Sequence, residues 1–196
     1  MKYFLTSLGV VLLIIFGIVV FGRSSTTTTP GVSGHKTLQL SDYQANNNAY
    51  VAYEIAGPIN AVENHVSLKI TVSPNSRTIN VYQGYQNAVL TSQTLGNDSA
   101  AYSQFLAALN KAGFTNERTI AKGTNATSIC PTGTRSNFSL VDGSKDVMNL
   151  WTASCTLGSY GGNVNMTTHL FEAQIPDYST LVSSVSSSTT NTSVLH

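Results

Sequence analysis

The segment YFLTSLGVVLLIIFGIVVFG, residues 3–22, carries no charged side chain. As an α-helix rising about 1.5 Å per residue it would be about 30 Å long, the thickness of a bilayer's hydrocarbon core. Proline is absent, and Tyr3, Phe4 and Phe21 put aromatic rings where the two membrane interfaces would fall. A helix buried in a soluble core rarely lacks every polar stripe over such a length, and this segment has none. The competing reading is a cleaved signal peptide, whose apolar core runs about 7–15 residues and ends in a small-x-small site. Here the run is longer and is followed by FGRSS. Residues 1–22 are therefore expected to be a transmembrane signal anchor, with later cleavage as the alternative. Lys2 and Arg23 flank the run almost evenly and orient it weakly. The long polar remainder and its cysteine pair favour an N-in, C-out arrangement. The expected location is the cell membrane, single-pass, with an extracytoplasmic C-terminal domain.

Beyond the anchor, charge is scarce. Only 10% of the 196 residues are charged, against roughly 25% in typical soluble domains. The formal net charge of +1 gives no electrostatic basis for binding nucleic acid. Residues 23–35 are a Ser/Thr/Gly linker broken by Pro30 and Gly31. Residues 183–196 are Ser/Thr-rich with little to bury and are expected to be disordered. Residues 36–182 are long enough for one core.

In that stretch Val66, Leu68, Ile70 and Val72 alternate with Ser67, Lys69, Thr71 and Ser73, the period of a strand with one buried face. SPNS turns the chain, and Ile79 and Val81 return inward. YVAYEIAGPI before and NAVLTSQTL after complete an antiparallel four-stranded meander, because short connections favour pairing between neighbours. The period then changes. Tyr102, Phe105, Leu106 and Leu109 follow at helical spacing, with Asp98 or Ser99 as cap and Gly113 as stop. This amphipathic helix is expected to cover the meander. NFSLVDGSKDVMNLW reads as a second hairpin turning at Asp142-Gly143, and GSYGG as a flexible loop. A helix is expected before Pro176 and a short one after Asp177. The fold class is α+β.

Cys130 and Cys155 are the only cysteines. They bracket the second hairpin, and outside the cytosol such a pair favours a disulfide. A zinc site assembled from Cys130, Cys155, His65 and His169 is the lesser reading, because no metal-ligand spacing joins these residues. No metal or other cofactor is expected. The sequence holds no G-x-S-x-G elbow, P-loop or dinucleotide glycine pattern. His169 and Glu172 share a helical face at i,i+3, the sole hint of an acid–base pair. Tyr82, Tyr85, Arg135, Trp151 and Tyr160 are candidates for a recognition surface. The plainer reading makes Trp151 a core residue of the clasped hairpin and Arg135 a brace for the loop after Cys130.

AYSQFLAALNKAGFT, CPTGTR, LWTASC and LFEAQIPDY resemble stretches of uncharacterised single-span envelope proteins of candidate-phylum bacteria. The resemblance implies a membrane-anchored outer domain and carries no functional residues. Type IV pilins also join an apolar helix to an antiparallel sheet with a disulfide loop. Two of their marks are not read in this sequence: a short leader ending in Gly before Phe, and a Glu near the start of the apolar helix. The expected function is that of a non-enzymatic, membrane-anchored envelope protein that binds another envelope or cell-surface partner or supports the surface. An envelope hydrolase using the His/Glu pair and a pilin-like subunit are the alternatives.

Overall fold

A computed structural model describes residues 38–183. The expected anchor and linker, and the expected tail (183–196) apart from Ser183, which is helical, lie outside the described residues. Among the described residues no helix is long and apolar enough to cross a membrane.

Six antiparallel strands form one sheet: β1 (Ala49–Ala56), β2 (Val66–Val72), β3 (Ser76–Gln83), β4 (Ala88–Gly96), β5 (Arg135–Asp142) and β6 (Lys145–Ala153). Their order across the sheet is β4-β3-β2-β1-β5-β6. The expected four-stranded meander is present. The second hairpin does not stand apart from it: β5 pairs along the whole of β1, from Ala49↔Asp142 to Ala56↔Arg135. β1 is thereby a central strand. This explains why its alternation is blurred, with Ala52 buried on the face opposite Val51 and Tyr53.

Helix α1 (Ser99–Lys111) starts where the Asp98 carboxylate accepts the Ala101 N–H at 2.8 Å. It ends before Gly113, whose φ of 75° suits a residue without a side chain. Tyr102, Phe105, Leu106 and Leu109 are its buried stripe. A single turn, α2 (Ala126–Ile129), is capped by Asn125. Helix α3 (Val164–Glu172) is capped by Asn163, and residues 178–183 form α4 after Asp177.

The core lies between one sheet face and α1 and α3. Phe138 of β5 stacks on Tyr53 of β1 at 5.4 Å and packs on Tyr160 at 4.2 Å. Phe171 of α3 meets Tyr53, Phe105 and Phe114. These rings unite the strand pair β1–β5 with both helices in one apolar cluster.

The GSYGG segment is packed rather than flexible. Tyr160 N–H donates to the Trp151 carbonyl at 2.9 Å, and Gly161 N–H donates to Asn116. A side chain on Gly158 would overlap the Trp151 ring, and one on Gly162 would overlap the Tyr160 phenol. The glycines are needed for close approach, not for looseness. The segment also occupies part of β6's outer edge, which would otherwise present unpaired backbone groups.

Candidate functional site

The two sheet faces differ in chemistry. The core face carries Val, Ile, Leu, Phe and Tyr. The other carries rows of mostly polar side chains, fixed by the strand registers. One row runs Ser92, Asn80, Lys69, Glu54, Asn137 and Trp151 across all six strands. No described helix of three turns or more packs over this face.

At its β1–β5–β6 end lies a hollow of about 490 Å³. Glu54, Asn137, Asn149 and Trp151 rise from the strands, and Asn125, Ala126 and Thr127 of the α2 turn form a wall. Two local devices build this wall. The Asn125 carboxamide oxygen accepts the Ser128 N–H at 2.9 Å and so starts the turn. The Cys130–Cys155 disulfide, Cα to Cα 5.9 Å, ties the end of the turn to the chain just beyond β6.

Arg135 is the third support. It is only 7% exposed. Its guanidinium donates to the Gly57 carbonyl at 2.7 Å and to the Cys130 carbonyl at 3.4 Å. The expected bracing of the Cys130 loop is therefore seen. The fork joins that loop to the loop after β1, at the foot of the hollow.

The remaining polar groups are not consumed by the fold. Glu54, Asn137, Asn149 and the Trp151 indole N–H have no side-chain hydrogen-bond partner among the described residues. Glu54 and Lys69 face each other in register, yet they form no ion pair. The hollow thus gathers a carboxylate, carboxamides and an indole, all half-buried or exposed, with hydrogen-bonding capacity to spare.

Trp151 does not belong to the core, contrary to the plainer sequence reading. The β5–β6 register puts it opposite Asn137, on the polar face. Its ring packs on Gly158, and its backbone N–H donates to the Ser159 hydroxyl at 3.1 Å. Tyr82 shares the open face, but β3 lies four strand spacings from β6, roughly 19 Å. Tyr85 is at the far end of the sheet, 46% exposed, stacked on His65 at 4.3 Å and bonded through its hydroxyl to Asn60. Tyr160 is core: it is 1% exposed, with its hydroxyl 2.6 Å from that of Thr167. The five expected surface residues therefore do not form one patch. Only Trp151 and Arg135 share a hollow.

A second hollow, of about 240 Å³, lies on the helix-covered side. Ile55, Val66, Leu68 and Val81 line it from the sheet, and Tyr178 and Val182 from α4. It is apolar and offers few orienting groups.

His169 and Glu172 meet at 3.0 Å as an i,i+3 pair, but the His169 side chain is 79% exposed. Neither residue lines either hollow. Burial pushes the Tyr53 hydroxyl up to about 12, opposed by a hydrogen bond to Ser136 and reinforced by the Glu172 carboxylate. Burial first, and Glu172 second, also raises Tyr178. Glu172 thus sits among neutral phenols. No described cluster of three or more His, Cys, Asp or Glu residues could hold a metal, and both cysteines are joined to each other rather than available as thiolates.

Asn137, Asn149, Asn125 and Glu54 were missed as site residues by sequence reasoning. Strand alternation puts Glu54 and Asn137 on polar faces, but their apposition depends on the β1–β5 register, across a separation that no local pattern spans. No protein-family model matches the chain, and no curated protein matches it.

Proposed function

We propose that this chain is a membrane-anchored envelope protein whose outer domain is a binding module rather than an enzyme. Residues 1–22 hold it in the membrane, residues 23–35 space it from the surface, and the folded domain meets its ligand on the open sheet face at the Trp151 hollow. The Cys130–Cys155 disulfide carries the location, because such bonds persist in oxidising compartments and are rare in reducing ones. The pairing of one aromatic ring with uncommitted polar groups carries the binding role.

Two measurements test this reading. In intact cells, a membrane-impermeant maleimide should label the chain only after a membrane-impermeant reductant is added; labelling without reductant would remove the disulfide, and labelling that appears only in permeabilised cells would remove the outside location. Alkaline carbonate should leave the chain in the membrane pellet, and release into the supernatant would count against the anchor.

The hydrolase alternative draws on the 3.0 Å His169–Glu172 contact. An acid–base pair needs a substrate cleft beside it, and the His169 ring instead faces solvent.

A further inference from the structure

We infer that the Trp151 hollow is a binding site for a neutral saccharide. The inference rests on the binding-module reading above and names its ligand class.

The first ground is the unused hydrogen-bonding capacity. Asn137 and Asn149 each offer a donor and an acceptor group, Glu54 offers acceptors, and the indole N–H is a donor. None has a side-chain partner among the described residues, and they converge on one hollow. A sugar matches this set, because each hydroxyl both donates and accepts. A carboxylate or carboxamide can bridge two neighbouring hydroxyls.

The second ground is the aromatic ring. Sugar rings present C–H edges of slight positive charge, and these pack on the electron-rich surface of an indole. Gly158 lets the chain lie close against Trp151 and hold the ring still. A ring fixed before binding loses little entropy when the ligand arrives.

The third ground is charge. The hollow is lined by one carboxylate, Glu54, and one guanidinium, Arg135, whose fork is committed to the Gly57 and Cys130 carbonyls. An acidic ligand would meet Glu54 with no uncommitted cation in the lining, since Lys69, in register beside Glu54 on β2, is not among the lining residues. An extended peptide fits less well for another reason. Peptides gain main-chain hydrogen bonds at a sheet edge, but the hollow lies over the face of β1, β5 and β6, whose ladders are paired with each other.

Trp151 is the chain's only tryptophan, so its emission reports this site alone. The full-length chain, in a detergent without a sugar head group, is titrated with neutral hexose and N-acetylhexosamine oligomers, with uronate oligomers and with unstructured peptides. The expected result is a saturable emission shift with at least one neutral oligomer. Asn137→Ala and Glu54→Gln should each weaken it by about tenfold, with the melting temperature and disulfide retained. Equal or tighter binding of uronates, or binding untouched by both substitutions, overturns the inference. A shift with peptides and none with saccharides overturns the saccharide but leaves a binding module. If no ligand shifts the emission while acrylamide still quenches Trp151, both readings fall.

Discussion

Tyr102 is fully buried in α1, and its hydroxyl has no hydrogen-bond partner. A buried, unsatisfied hydroxyl costs free energy that a phenyl ring would not. Tyr102→Phe should therefore leave stability unchanged or raise it by about 1 kcal/mol, read from the urea midpoint. A clear loss would mean that a bound water satisfies the hydroxyl. Gly158 is the opposite case, a position where one added carbon matters. Its methyl would overlap both the ring and the carbonyl oxygen of Trp151. Gly158→Ala should cost about 1–3 kcal/mol and shift the tryptophan emission in the unliganded protein. An unchanged spectrum would mean that the ring is not held by this contact. The described arginines follow a common pattern suited to a chain with few charges. Arg77 donates to Gly96 and Gln174, Arg118 to Gly158, and Arg135 to Gly57 and Cys130, all backbone carbonyls. Guanidinium forks here tie loops together rather than pairing with acids.

Among the elements, α1 shows local rules at work. Its cap, apolar stripe and stop were all legible in the sequence, because each depends on residues within a few positions. Asp98→Ala should destabilise the protein by about 1 kcal/mol, measured by denaturation. A loss near zero would mean that water caps the helix equally well. The two outer strands of the sheet differ. β6 is partly covered by the 156–160 segment, through the Ala153↔Thr156 bridge and the Tyr160–Trp151 bond. β4 has no such cover among the described residues, and Val89 on it is 59% exposed. The short α2 turn could not be read from its polar sequence. It is held by the disulfide and by its Asn125 cap, and only the first of these had been anticipated as structural.

For the molecule as a whole, the disulfide closes the β5–β6 hairpin and the wall of the hollow together. Replacing both cysteines by serine should cost roughly 3 kcal/mol in the chain-entropy picture and loosen the α2 wall. A wild-type melting temperature in the double variant would show the bond to be dispensable. Alkaline pH supplies a second global test. Burial raises Tyr53 to about 12 from an ordinary value of 10.0, and it raises Tyr102, Tyr160 and Tyr178 as well. A phenol with a raised folded pKa stabilises the fold fully below its unfolded value, and that stabilisation is lost as pH climbs toward the folded value. Urea midpoints should hold steady up to about pH 9 and fall from about pH 10 toward 12. Each such phenol contributes a slope of up to about 1.4 kcal/mol per pH unit. Midpoints that stay level through pH 12 would show that these phenols ionise without opening the core.

The sequence by itself determined the strands β1 to β4, the amphipathic α1, the second hairpin and the cysteine pairing. Each of these is written in a short-range period, a turn dipeptide or a count of two cysteines. It did not determine that β5 would lie against β1. A strand's alternation says that one face is buried but not which strand it pairs with, because every apolar face is satisfied by any matching partner. That one long-range pairing decided the rest. It widened the meander to six strands, turned Trp151 away from the core and brought Asn137 beside Glu54. It also sent Tyr160 inside, where Phe138 and Thr167 hold it. The candidate site is a product of tertiary register, since its residues come from β1, β5, β6 and the α2 turn and share no local signal.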